Sequence, residues 1–126
     1  MSDTTTRGVR VQVESRYVPD QSEPGRMWYF AYTVTITNMG VEPVRLWSRH
    51  WIITDANGRQ QHVKGLGVVG QQPRLAPGEL HRYTSACPIN TSIGTMHGTS
   101  QMVLDSGERF DATIAPFTLA DPLSLN

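Results

Sequence analysis

Residues 27–39 read MWYFAYTVTITNM, and their alternation decides the fold class. Every second residue is aromatic or aliphatic, whereas the residues between them in the second half are threonines, which are β-branched and polar. A repeat of two is typical of a half-buried β-strand, because successive side chains point to opposite faces. The apolar face comprises Trp28, Phe30, Tyr32, Val34 and Ile36, and the polar face Thr33, Thr35 and Thr37.

The stretches on either side of this strand have the same period. GVRVQVESRYV (8–18) places Val9, Val11 and Val13 on one face. VRLWSRHWIIT (44–54) is apolar on both parities, which indicates a central strand whose inward parity changes at a β-bulge. We place that bulge near Ser48–Arg49.

Turn residues separate these segments, and no segment has the apolar spacing of a helix. Asn57–Gly58 predicts a type I′ hairpin and Pro77–Gly78 a type II turn. The sequence therefore predicts an all-β fold: a single antiparallel β-sandwich of about seven to eight strands in one domain, 1–126. We expect residues 1–7 and 120–126 to be flexible tails.

Composition excludes several classes of protein. The 126 residues are 38% hydrophobic and 17% charged, with 11 basic and 11 acidic side chains. A neutral chain without a basic run lacks the charge pattern of a nucleic-acid binder or of a protein held on an anionic membrane. The first residues, MSDTTTRG, contain no apolar signal segment, and the single Cys87 forms no internal disulfide. We therefore expect a cytoplasmic location.

The stretch HVKGLGVVGQQP, residues 62–73, matches G-x-G-x-x-G. A dinucleotide site needs a helix after the third glycine, and Pro73 and Pro77 prevent one. Two interpretations remain: a turn-forming loop, which we favour, or a backbone nest that holds an anion. We expect the chain to leave its strand at about Lys64 and at least one glycine to have a positive φ. The candidate anion-binding residues are Lys64, Gly65, Gly67, Gly70 and Arg74, with His62 nearby.

No other set of residues predicts chemistry. His50, His62, His81 and His97 lack the spacing of a metal motif, although a sandwich can bring His62, His81 or His97 together across strands. Cys87 lacks a base at hydrogen-bonding distance along its strand, which favours a structural thiol. The sequence therefore predicts no catalytic residue, no metal and no cofactor.

The whole chain, from about Val9 onward, resembles the ApaG family. The matching words are FAYTVTITN (30–38), SRHWIITDANG (48–58), VKGLGVVGQQPRLAPGE (63–79), YTSACP (83–88), GTMHGTSQM (94–102) and FTL (117–119). Ser100 stands where an aromatic residue is common, and YTSA replaces YTSG. The resemblance implies a sandwich similar to fibronectin type III or immunoglobulin domains. It also implies genetic links to cobalt resistance, magnesium efflux and diadenosine polyphosphate hydrolysis, and it brings no catalytic residue.

The sequence and the resemblance together predict a non-catalytic binding module. Similar domains in eukaryotic F-box proteins and in a DNA-polymerase-interacting protein resemble interaction modules, so the expected partner is a protein, at the loop ends or at an edge strand. The alternative is a phosphate-containing ligand, pyrophosphate or a nucleotide polyphosphate, at the Gly65–Gly70 loop. An enzyme acting on such a compound is the third hypothesis.

Overall fold

Nine strands and two short 3-10 turns make up the computed structural model, which describes residues 1–125, with side chains through residue 124. The strands are β1 (Ser2–Thr6), β2 (Val9–Tyr17), β3 (Trp28–Asn38), β4 (Val44–Asp55), β5 (Gln60–Leu66), β6 (Arg74–Leu75), β7 (Leu80–Ile89), β8 (Ile93–Leu104) and β9 (Arg109–Ala120). The 3-10 turns are Pro19–Gln21 and Pro122–Leu125. No helix in residues 1–125 is long and apolar enough to cross a membrane.

The strands form two antiparallel sheets that pack face to face. One sheet has the order β1-β2-β3-β7, and the other has the order β5-β4-β8-β9, with β6 also paired to β4. The predicted antiparallel β-sandwich is thus confirmed. The count reaches nine because β1 and the two-residue β6 were not anticipated from the sequence.

The core lies between the sheets. It is filled by the side chains that the alternating pattern placed on the apolar face of each strand. Val11, Val13, Phe30, Val34 and Ile36 are fully buried. Because these side chains come from adjacent strands of one sheet, they form a continuous apolar face. The facing sheet contributes Leu46, Trp51, Met96, Met102, Ile114 and Leu119.

A bulge in β4 changes the inward parity, as the sequence predicted. The pairing with β8 runs Leu46 to Met102 and then Ser48 to Gln101, so Trp47 is the extra residue. This position is one residue before the predicted one. Leu46 is inward before the bulge, and Trp51 is inward after it.

The N-terminal tail prediction is wrong. Residues 2–6 form β1, which pairs with β2 between Val9 and Val13. The Arg10 guanidinium donates two hydrogen bonds, of 2.9 and 2.6 Å, to the Asp3 carboxylate and ties the two strands together. Threonines on every position from 4 to 6 also favour the extended backbone.

The C-terminal prediction is corrected in part. Ala120 ends β9, and Asp121, only 8% exposed, accepts a hydrogen bond at Oδ1 from the Leu123 N–H at 3.0 Å. A capped 3-10 turn therefore replaces the expected tail through residue 125. Residue 126 lies outside the described residues.

One of the two predicted turn types is correct. The Glu79 N–H donates to the Ala76 carbonyl at 2.9 Å and Gly78 has φ 87°, which is the type II turn expected at Pro77–Gly78. The Asn57–Gly58 hairpin is not type I′, because only Gly58 has a positive φ. The Asp55 carboxylate accepts the N–H groups of Asn57 and Arg59, which favours a type I turn with a glycine bulge instead.

Asn38 joins the end of β3 to the following loop and to β6. Its side-chain amide donates to the carbonyls of Glu42 and Leu75 at 2.7 and 3.0 Å, and its Oδ1 accepts the Gly40 N–H at 3.0 Å. The residue is 2% exposed.

We expect Asn38→Ala to lower the free energy of unfolding by roughly 2–4 kcal/mol, because it leaves backbone groups without partners. Chemical denaturation measures this, and a loss below about 1 kcal/mol would contradict it.

Candidate functional site

The two long sides of the sandwich differ. On one side β9 meets β1 and β2, where Ser15 Oγ donates to the Thr118 carbonyl at 2.8 Å and the Thr113 N–H donates to Thr6 Oγ1 at 3.1 Å. On the other side the edge strands β5 and β7 face each other, and no hydrogen bond joins them within residues 1–125. This second side is open, and we call it the open side.

A groove of about 260 Å³ lies between β5 and β7. Its floor is apolar and aromatic, and its walls come from the two edge strands. The floor includes Tyr32, Trp51 and Met96, and the walls include Val63 of β5 and Ser85 and Cys87 of β7. A groove of this size accommodates one large side chain or a small organic molecule.

Arg49 lies at one end of the groove and reaches the free edge of β5. Its Nη1 donates to the carbonyls of Leu66 and Gly67 at 3.1 and 3.0 Å. The guanidinium passes directly over Gly65, where a Cβ would come within 2.5 Å of Nη1. Gly65 is therefore required for this position of Arg49, and its role is steric.

The glycine stretch forms a tight turn, the interpretation that we favoured. Strand β5 continues to Leu66, two residues beyond the expected end. Gly67 and Gly70 have φ of 60° and 76°, so the expected positive φ is confirmed. The Val68 and Gln71 N–H groups each donate to the other's carbonyl, and Val69 also has a positive φ, which together make a type I′ turn.

The structure does not bring the candidate anion-binding residues to one point. Lys64 pairs with His50 in β4, whereas Arg74 pairs with Arg45, five residues earlier on the same strand and so roughly 16 Å away. Arg74 Nε and Nη2 donate to Asp105 at 3.1 and 2.5 Å.

The loop's own donors are also in use. The Gly67 N–H donates to the Trp47 carbonyl at 2.7 Å, and those of Val68 and Gln71 close the turn. A nest needs successive N–H groups that point outward together. In this loop, three of the N–H groups that a nest would use are already bonded within the chain.

Cys87 lies in the groove wall as a buried thiol. It is 4% exposed, and burial raises its pKa to about 11. The thiol is therefore protonated at neutral pH, which favours the structural role predicted for it. Burial also raises the pKa of Tyr32 in the groove floor, and the nearby Arg49 charge opposes that shift.

Two histidines meet on the outer face of the second sheet. His50 Nε2 and His62 Nδ1 are 2.9 Å apart, in a diagonal pair between β4 and β5. His62, His81 and His97, which a sandwich can bring together, do not meet in this one: His81 stacks on Tyr83 in the other sheet, and Ile52 lies between His62 and His97. Residues 1–125 contain no group of three side chains that could hold a metal.

The chain matches the ApaG domain model over residues 19–104. It is 55% identical over its full length to Protein ApaG of Anaeromyxobacter dehalogenans strain 2CP-C, and covers all of that protein. It is 57% identical to Protein ApaG of Bordetella pertussis over 92% of this chain and 89% of the relative. The chain belongs to the ApaG family. The crystal structure of an ApaA protein from Bordetella pertussis, 56% identical, superposes with a TM-score of 0.88 over 90% of this chain and 94% of that one.

Sequence reasoning missed Arg49, which donates to two carbonyls of the ApaG glycine loop. The signal was present in the strand itself. Because the bulge precedes Arg49, its side chain points toward the same inner face as Trp51. An arginine that points inward must extend to the edge of the sheet to reach solvent or a carbonyl. The partner glycine, Gly65, lies on a different strand and was not recognisable without the register.

Two glycine substitutions in the ApaG loop should separate its steric roles. Gly67→Ala places a Cβ against the Gln71 backbone at φ 60°, so we expect the free energy of unfolding to fall by roughly 1–3 kcal/mol. Gly65→Ala meets only the movable end of Arg49, so we expect a change of less than about 1 kcal/mol. Thermal and urea unfolding measure both variants, and equal losses would contradict this assignment.

The histidine pair should make stability depend on pH. Burial, then the charges of Lys64 and His62, holds the pKa of His50 below 6.5. The unfolded chain therefore binds this proton more readily than the folded one, and stability is lost as pH falls below 6.5. We expect urea denaturation at about pH 5.5 and about pH 7.5 to show a smaller loss for His50→Gln than for the native chain. His81→Gln is the control, and an unchanged loss in His50→Gln would refute the assignment.

Proposed function

We propose that the chain is a non-catalytic module that binds an extended segment of a partner protein along the free edge of β5. One observation carries this proposal: β5 is an edge strand of seven residues beside an open groove with an apolar floor. Strand addition uses such an edge for backbone hydrogen bonds and the adjacent groove for alternate side chains of the incoming segment.

The other edge strands are less suited to strand addition. β9 contains Pro116 at an irregularity in its pairing with β8, and β7 contains Pro88. β1 has five residues and packs against β9. Short length, proline and bulges are the usual means by which proteins protect an edge, and β5 has none of these features.

The free donors of β5 follow from its pairing with β4. The Asp55 N–H donates to the Arg59 carbonyl and the Gly67 N–H donates to the Trp47 carbonyl, so odd-numbered residues of β5 face β4. The N–H groups of Gln60, His62 and Lys64 therefore point away from the sheet. Side chains of an added strand would alternate between solvent and the groove.

A binding module of this kind acts through its partner. The cobalt, magnesium and diadenosine polyphosphate links that the family resemblance implies would then reflect the proteins that it binds. The fibronectin-III-like character implied by the resemblance supports the same proposal, because sandwich domains with open edges commonly serve as recognition modules.

The test is affinity capture from a lysate of the source organism with a matched pair of variants. His62→Pro removes one outward N–H and leaves the β4 bonds in place, whereas His62→Ala removes only the imidazole. We expect the native chain and His62→Ala to capture the same protein, and His62→Pro to capture it at least about tenfold less well. A partner captured equally by all three would contradict strand addition at β5.

The competing proposal is an anion at the Gly65–Gly70 loop, and it has a separate test. Titration with pyrophosphate would shift the amide resonances of residues 64–70, and the shifts would be lost in Lys64→Ala. The bonded N–H groups and the distance between Lys64 and Arg74 disfavour this proposal. We expect no shift at roughly millimolar pyrophosphate, as for weak exposed charges in general.

A further inference from the structure

The strands that border the open side carry positive charge only. β5 and β7 contain no aspartate or glutamate, and they carry Lys64 and Arg82. Arg49 reaches the β5 edge from β4, and Arg59 precedes β5 in the turn. The nearest carboxylate in the hairpin, Asp55, is occupied by two backbone N–H groups.

These charges are not neutralised within the chain. The four salt bridges of the described residues use Arg7, Arg10, Arg26 and Arg74, none of which belongs to β5 or β7. Arg49, Arg59, Lys64 and Arg82 form no salt bridge with any residue from 1 to 124. In a chain with a net charge of zero, the two strands that border the open side thus carry cations and no carboxylate.

Arg49 and Trp51, at the groove, each have N–H groups without a hydrogen-bond acceptor in the described residues. The protein contacts of the Arg49 guanidinium use Nη1 alone, so within residues 1–124 Nε and Nη2 have no acceptor. Trp51 lines the groove, is 2% exposed, and its Nε1 has no acceptor in the described part of the chain. Since the Trp51 Nε1 atom is enclosed by the chain, the Arg49 guanidinium is the donor that a bound segment can reach.

We propose that the segment bound along β5 is acidic, with a carboxylate that pairs with Arg49. This inference rests on the proposed function and specifies the partner's chemistry. A carboxylate is planar and accepts two bonds from a guanidinium side by side, which Nε and Nη2 of Arg49 can donate. A second copy of the chain is a poor occupant, because its β5 edge would bring further cations and no carboxylate.

The experiment compares three blocked octapeptides against the full-length, ¹⁵N-labelled protein. All three alternate threonine with a second residue, which is glutamate, glutamine or lysine. We expect the glutamate peptide to shift the amide resonances of residues 60–66 and to bind at least about tenfold more tightly than the glutamine peptide. The affinity of the glutamate peptide should fall as the salt concentration rises, because the Arg49 and Lys64 charges are partly exposed.

Two arginines of β4 provide the variant and its control. Arg49→Gln removes the charge at the groove, and we expect it to reduce the preference for the glutamate peptide by about tenfold. Arg45→Gln is matched, because Arg45 also donates to a carbonyl of the same loop, that of Gln72, but it lies at the other end of β4. It should keep the native preference. Lys64→Gln is a second variant should Arg49→Gln fold poorly, and it should also weaken the glutamate peptide selectively.

The outcomes distinguish this inference from the proposed function. If the glutamine or lysine peptide binds β5 as tightly as the glutamate peptide, strand addition stands and the acidic preference is wrong. If Arg45→Gln reduces the preference as much as Arg49→Gln, Arg49 is not the specificity residue. If none of the peptides shifts residues 60–66, strand addition at β5 fails as well. A concentration-dependent dimer detected by sedimentation, competing with the peptides, would assign the edge to a second copy.

Discussion

The β-bulge at Trp47 is the constraint on which the rest of the structure depends. β4 is the centre of its sheet and pairs with three strands, so its parity decides which residues enter the core. Without the extra residue, Ser48, His50 and Ile52 would face inward, and Trp51 would lie on the surface. Burial of a tryptophan contributes roughly 3–5 kcal/mol, which exceeds the local loss of one ladder position.

The same bulge creates the contacts of the glycine loop. The Trp47 carbonyl accepts the Gly67 N–H at 2.7 Å and the Gln72 side-chain amide at 2.9 Å. The changed parity then directs Arg49 over Gly65 to the edge of β5. A single inserted residue therefore positions the core tryptophan, the loop and the cation at the groove.

The sequence predicted the buried strand faces and the β4 bulge correctly, because both depend on the order of neighbouring residues. Alternation at Val9–Val13 and Phe30–Ile36 predicted the buried faces, because a strand's period fixes which side chains share a face. Conflicting parity in β4 predicted the bulge to within one residue. The type of the Asn57–Gly58 turn was wrong because the Asp55 side chain caps its N–H groups, an interaction that the dipeptide rule ignores.

The candidate site could not be predicted in the same way, because it depends on register and sheet order. Arg49 meets Gly65 across 16 positions only because β4 and β5 pair in one register, and β5 faces β7 only because each is the last strand of its sheet. The core sets both features through contacts between residues far apart in sequence. The G-x-G-x-x-G match is entirely local, and so are Pro73 and Pro77, which were enough to favour the turn that the structure has.

The positive charge of the open side has two consequences that arise from one cause. An exposed strand with free backbone groups tends to pair with any other strand, including another copy of itself. A second copy would bring another Lys64 and another Arg49 to the same edge, and neither has a carboxylate partner within the chain. If strand addition at β5 is correct, the same charges would favour a carboxylate-bearing segment. Selectivity for the partner and resistance to self-association would then follow from the same few side chains, and a neutral β5 edge would weaken both.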